Sequence, residues 1–281
     1  MAQNYDRRRI NGPEDSYPPI FEEEEEDTLS WNIAKPREGR SPQDIRPICE
    51  NTLVSCQLSG SLICFIVALV LQPGLINQAN GSAYIETDKT KIACAVYGPR
   101  QSKTTTFSEN GRLNVEVKFS PFSCARRKAP LRDAEDRSLA VSIHQAVLSS
   151  VRLELLPKST IDVFITIIEN DGIEGCISSG TIAASAALAD AGIEVLGLVA
   201  SCSAAALGDE IWLDPTEKEA RKSEGTLILA CMPALGIVTN VWQSGRMTVE
   251  KATQCLDLCQ ERCTDIHAVV AQSLLETSKA S

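Results

Sequence analysis

Apolar and polar positions change rhythm several times along the chain, and each rhythm predicts an element. In RLNVEVKF (112–119), Leu113, Val115, Val117 and Phe119 alternate with polar residues. That period of two predicts a strand with one buried face. SAYIET (82–87) and KIACAVYGP (91–99) are two more strand-like runs, joined by a short turn at Asp88-Lys89 that predicts a hairpin. Over 133–152 the spacing becomes helical, with Leu139, Ile143, Ala146, Val147 and Val151 on one face and Pro157 beyond the end. IDVFITII (161–168) predicts a buried strand. A glycine-punctuated turn follows, then a helix of Ala, Ser and Gly over 176–191, whose small side chains suit close packing on a sheet.

The second half repeats this style. VLGLVASCSAAAL, DEIWLDP, TLILACMP and GIVTNVWQ read as consecutive strands between 195 and 243. Thr248 then caps a last helix running to about Ser278, with Glu250 near its positive end. Groups of strands followed by helices, twice over, argue for an α+β fold rather than a doubly wound sheet.

Two stretches fit neither rhythm. Residues 1–43 carry five prolines and the block EEEEED (22–27). They predict a disordered acidic tail, with docking to a basic partner as the alternative. LICFIVALVL (62–71) is wholly apolar. As a helix it would span about 15 Å, half of a ~30 Å hydrocarbon core. Polar residues and glycine precede it and Gln72-Pro73 follow. A buried or awkwardly exposed segment is the better expectation than a membrane span.

Composition narrows the chemistry. The chain has 281 residues, 43% of them hydrophobic and 5% aromatic, so aliphatic side chains must fill the core. A net charge of −10 makes it a poor stand-alone nucleic-acid binder, without excluding a local basic patch. The eleven cysteines form no CxxC pair. Cys255, Cys259 and Cys263 line one side of a helix, with only His267 nearby as a fourth ligand. Buried, reduced core thiols fit better than zinc, and no metal or cofactor is expected. The polar N-terminus MAQNYDRRRI carries no secretory signal, and a reducing compartment fits the cysteines.

Several stretches together resemble one family. GRSPQDIRPI (39–48), QANGSAYIETDKTKIACAVYGPRQ (78–101), NGRLNVEVKFSPF (110–122), ALADAGIE (187–194) and LDPTEKEARKSEGTLILACMP (213–233) are similar to the RNase PH family. Within it they look most like the mRNA-transport-regulator-type subunits of the eukaryotic RNA exosome ring. The resemblance implies an RNase PH-like (ribosomal protein S5 domain 2-like) fold with two βαβ-type halves over 44–281. Joining Cys49 to Leu71 restores continuous family-like text, so 50–70 reads as an apolar insert.

Active members of the family attack RNA with inorganic phosphate. The resemblance implies three requirements: an arginine in a Gly-Thr-Arg turn, an acidic pair on a later strand, and arginines before a long helix that grip RNA. Gly172-Ile173-Glu174-Gly175 stands where the first should be, and no arginine lies between Arg152 and Arg221. For the second, Asp214 matches one acid while the flanking positions are Trp212 and Lys218, with Asp209 and Glu210 as displaced substitutes. The third is met in part by Arg126, Arg127, Lys128 and Arg132, which read either as an RNA contact or as a solvated loop or salt-bridged subunit contact. His144 and His267 read as packed rather than catalytic.

The reading that follows is a non-catalytic structural subunit of the exosome ring that supports 3'-5' RNA processing and degradation. The alternatives are an active phosphate-dependent exoribonuclease and a membrane-attached protein. The family implies other RNase PH-type subunits, S1/KH-type cap subunits and RNA in the pore as partners, no membrane, and residence in nucleus, nucleolus and cytoplasm.

Overall fold

The centre of the first sheet is β5 (Ser159–Glu169), whose odd-numbered residues Ile161, Val163, Ile165 and Ile167 are all buried. A computed structural model describes residues 41–43, 45, 70–87, 89–102, 108–124, 127–128 and 136–280. The sheet orders β1 (Val70–Pro73), β2 (Gly81–Thr87), β3 (Thr90–Gln101), β5 and β4 (Arg112–Phe119) as β1-β2-β3-β5-β4. Only the β4–β5 pair is parallel. The expected hairpin is present, with Thr87 opposite Thr90. So is the alternation in β4, where Leu113, Val117 and Phe119 are buried.

The second sheet runs β7-β6-β8-β9, all antiparallel, from β6 (Ala200–Leu207), β7 (Glu210–Leu213), β8 (Gly225–Met232) and β9 (Ile237–Gly245). All eight residues of β6 and of β8 are buried. The cause is cover on both faces: α1 (Arg137–Leu148) and α2 (Ile173–Asp190) on one, and α4 (Val249–Ala280) on the other. Continuous apolar runs are the mark of strands covered on both sides.

The α2 helix lies between the sheets, which explains its composition. Fourteen consecutive residues, Gly175–Leu188, are buried. A Cβ on Gly180 would stand 2.8 Å from Ile143 Cδ1 on α1, so the helix crossing needs glycine there. Hydroxyls inside α2 are satisfied locally or by β6: Thr181 donates to Ile177 O at 2.7 Å and Ser178 to Ser201 O at 2.9 Å.

Cys255, Cys259 and Cys263 sit at 0% exposure against β6 and β8. Burial pushes the Cys255 thiol up to about 11. Contact with Cys202, then burial, raises Cys259, and Cys231 does the same for Cys263. These thiols stay protonated, as core packing requires. No metal-holding group occurs among the described residues.

Several boundaries differ from expectation. The helix expected over 133–152 is α1, which starts at Arg137 because Asp136 caps it, and stops at Leu148. Val151 is buried but leaves the helix for a bridge to Val195. The small-residue helix begins three residues early, at Ile173. The strand expected from 195 starts at Ala200. A six-residue helix, α3 (Glu217–Lys222), was not expected, although Thr216 and Glu219 form a reciprocal capping box. Residues 41–43 of the expected tail lie beside β7, where Leu213 N–H donates to Pro42 O at 3.0 Å. The rest of that tail lies outside the described residues. So does the insert, except that Val70 belongs to β1, opposite Glu86. No helix among the described residues is long and apolar enough to cross a membrane.

Candidate nucleic-acid and phosphate site

Asn170 organises the turn between β5 and α2. Its Oδ1 accepts from Gly172 N–H at 3.0 Å and from the Cys176 thiol at 2.9 Å. Its own N–H donates to Ser123 O at 3.1 Å, and its Nδ2 to Cys124 Sγ at 3.6 Å. One side chain thus ties the glycine turn to the loop after β4 that carries the basic residues. Gly172 has φ +122°, a conformation that favours glycine. Nothing in the spacing singled out Asn170; the Asn-Asp-Gly text marked a turn, not a tie to a loop about fifty residues earlier.

Glu174 stands in the first turn of α2. Its Oε1 accepts from Thr226 Oγ1 on β8 at 3.1 Å. Its Oε2 and the Glu217 N–H nitrogen lie 3.7 and 3.5 Å from the point where a Cβ on Gly172 would be. The carboxylate therefore lies over the glycine turn and favours the dipole of its own helix by about 0.3–1 kcal/mol. An anion 4 Å from it would meet a repulsion of about 4 kcal/mol at an effective dielectric of 20. At those values the charge of the side chain exceeds the attraction of the helix end.

Asp214 follows β7 with φ +48°, half-buried, its N–H donating to Ser203 O at 2.8 Å. The small cavity beside it is lined by Ser178, Ser201 and Ser203, with Ile45, Ile182 and Ile266. The flanking positions supply no second acid: Trp212 is 2% exposed in the core and Lys218 points to solvent. Asp209 and Glu210 lie apart from Asp214 along the strand. They sit at the far end of β7, about 13 Å of strand away. There Glu210 Oε2 accepts from Trp212 Nε1 at 3.0 Å, and Asp209 Oδ1 lies 3.7 Å from Lys251 Nζ.

Of the four basic residues, Arg127 and Lys128 are described and half-buried; Arg126 and Arg132 lie outside the described residues. Lys128 Nζ stands 3.4 Å above the Phe119 ring, and its backbone N–H donates to Pro121 O at 3.1 Å. Arg127 Nε is buried with no partner among the described residues. Asp136 offsets part of this positive charge. Burial would raise its carboxyl, but hydrogen bonds from Ser138 and Leu139, with the Lys128 charge, hold it below its ordinary 3.8. His144 is structural: Nε2 contacts Leu113 O at 3.1 Å, a geometry that makes that nitrogen the donor. His267 lies within α4.

Comparison with known proteins agrees with this architecture. The 3' exoribonuclease family model for domain 1 matches residues 68–194, and that for domain 2 matches 197–262. The exosome complex component mtr3 of Schizosaccharomyces pombe is 34% identical over 280 residues, covering 98% of each chain. Human exosome complex component MTR3 is 31% identical, covering 98% of this chain and 96% of its own. Rice Rrp46 superposes with a TM-score of 0.64 at 21% identity, covering 85% of this chain and 98% of that one. The Archaeoglobus fulgidus exosome with RNA bound to the active site gives 0.66 at 17% identity, covering 82% and 90%.

Proposed function

The chain belongs to the 3' exoribonuclease (RNase PH) family, and from that premise we propose that it is a non-catalytic structural subunit of the RNase PH-type ring of the RNA exosome. Similarity over 98% of the chain to mtr3 supports the placement in a ring with other RNase PH-type subunits. The observation that carries the non-catalytic part is the Glu174 carboxylate lying over the Gly172 turn. Attack of phosphate on a phosphodiester joins two anions and needs fixed positive charge at the reacting oxygens. Here that turn presents negative charge, and the positions flanking Asp214 are Trp212 and Lys218.

In this reading the ring processes and degrades RNA from its 3' end, while this subunit shapes the pore and guides the strand. Arg127 and Lys128, with Arg126 and Arg132, form the RNA contact. The loop is anchored by Asn170 at the site's edge, and phosphate contacts of this kind need no catalytic acid. S1/KH-type cap subunits cover the ring, and the complex works in nucleus, nucleolus and cytoplasm. The RNase PH-like domain spans 44–281, with residues 50–70 as an insert whose last residue, Val70, pairs in β1 with Glu86.

Affinity purification of the tagged full chain from its own cells tests the placement. RNase PH-type and S1/KH-type exosome subunits are expected in near-equal amounts. Recovery of the chain alone would reject it. Ultraviolet crosslinking of RNA in the same complex is expected to mark residues within 124–133; crosslinks elsewhere only would remove the RNA role of the basic loop.

A further inference from the structure

The side chain of Asn170 holds a thiol at each end. Cys176, in the first turn of α2, donates to Oδ1 at 2.9 Å, and Nδ2 reaches Cys124 Sγ, in the loop after β4, at 3.6 Å. The two thiols live in different surroundings. Cys176 is 1% exposed, whereas Cys124 is only half-buried. Ser123 Oγ spends its proton on Ser120 O at 2.8 Å, so in its 3.6 Å contact with Cys124 Sγ the thiol is the donor. Cys124 thus has an acceptor for its proton on one side and an amide donor facing its sulfur on the other.

The thiols packed under α4 are a contrast. Cys255, Cys259 and Cys263 are at 0% exposure, and burial pushes the Cys255 thiol up to about 11. Reactive cysteines, by comparison, sit partly exposed among positive charges, and those that sense oxidants often have a second cysteine close by to resolve the product. Cys124 opens the loop that carries Arg127 and Lys128, and Cys176 stands one carboxamide away.

We propose that Cys124 and Cys176 form a dithiol pair that hydrogen peroxide oxidises reversibly to a disulfide, with Cys124 attacking and Cys176 resolving. In the first step Cys124 gives up its proton and its sulfur attacks one peroxide oxygen. The S–O bond forms, the O–O bond breaks, and the departing hydroxide takes a proton and leaves as water. Cys124 is oxidised to the sulfenic acid as the peroxide is reduced. In the second step the Cys176 sulfur attacks Cys124 Sγ. The S–S bond replaces the S–O bond, and the oxygen leaves with the Cys176 proton as a second water. Burial sets this order, because a solvent oxidant meets Cys124 before Cys176.

Asn170 is the gate. A disulfide needs its sulfurs about 2.05 Å apart, so the carboxamide between them must leave. Asn170 is itself half-buried and has solvent to turn into. Its Oδ1 then also releases the Gly172 N–H, which it holds at 3.0 Å. The tie between the glycine turn and the basic loop is thereby exchanged for a covalent bond of different reach. The consequence for function rests on the RNA contact proposed above: oxidation re-seats the loop bearing Arg127 and Lys128 and loosens its grip on RNA.

The test treats the tagged full chain, purified in its complex under reducing conditions, with hydrogen peroxide. Remaining thiols are alkylated and the protease digest is mapped by mass. A peptide pair joining 124 to 176 is expected, and dithiothreitol should separate it. Cys176→Ala is expected to stop at the sulfenic acid of Cys124, which dimedone traps. Asn170→Ala is expected to form the bond faster, because its spacer is gone; a slower rate would remove the gate. If a variant is insoluble, the wild-type map decides alone. Thiols 124 and 176 both unchanged after peroxide would overturn the pair. So would a Cys124 bond to any other cysteine, or disulfides confined to the thiols under α4. Ultraviolet crosslinks of RNA within 124–133 are expected to be lost on oxidation and to return with dithiothreitol. Crosslinks that persist through oxidation would overturn the link to RNA and leave the pair standing. A reduced complex without crosslinks there would overturn the RNA contact itself, and the link with it.

Discussion

Asp136 shows how much one side chain decides. Its Oδ1 accepts from Ser138 N–H at 3.0 Å and from Ser138 Oγ at 2.6 Å, and it sets where α1 begins. Asp136→Ala is expected to lower stability by about 1 kcal/mol at neutral pH, measured by denaturant unfolding of the purified chain. The folded carboxyl lies below its ordinary 3.8, so its contribution is complete above that value and fades as pH falls through the folded one. Wild type and variant should therefore converge in acid; an equal gap at pH 7 and at pH 2.5 would mean that the cap is not the cause. Residues of this kind were only partly legible. The sequence located Glu174 and Asp214 through motif positions. It did not reveal that Thr226 holds Glu174, because that contact joins residues 52 apart through the fold.

At the scale of elements, strands with one open face were the most legible. The alternation in β4 survives because only one of its faces meets α1. Helix ends were less legible, because caps such as Asp136 and the Asn170 turn act through geometry rather than periodicity. The exposure of Ile237, Val238 and Val241 on β9 was invisible, since an edge strand with apolar side chains reads like a buried one. Close approaches between elements give a comparison of two glycines. A Cβ on Gly81 would fall 2.2 Å from Ala191 N and 2.5 Å from Ala187 O, where α2 ends beside β2. A Cβ on Gly180 would meet only the tip of Ile143, which can rotate away. Gly180→Ala is expected to cost about 1–3 kcal/mol, the usual range for overpacking, and Gly81→Ala distinctly more. Thermal melting of the two variants checks the order; equal losses would mean that the backbone near Ala191 yields as easily as a side chain.

For the whole molecule, two sheets and three long helices build the scaffold of the 3' exoribonuclease family. The α+β class and the family were legible because packing patterns and several motif blocks persist along the chain. The positions of Asp209 and Glu210 were not, because the hairpin that carries them to the far end of β7 has no mark in the motif. In that scaffold the turn between β5 and α2 carries the Glu174 carboxylate, on which the proposed loss of catalysis rests. The most direct measurement incubates the purified full chain, free of other ring subunits, with single-stranded RNA and inorganic phosphate, and follows nucleoside diphosphates. No release above a protein-free control is expected at any phosphate concentration, and Glu174→Arg alone is not expected to create it, since positioned cation and acidic site act as a unit. Phosphate-dependent release that disappears in Asp214→Ala would contradict a non-catalytic subunit outright.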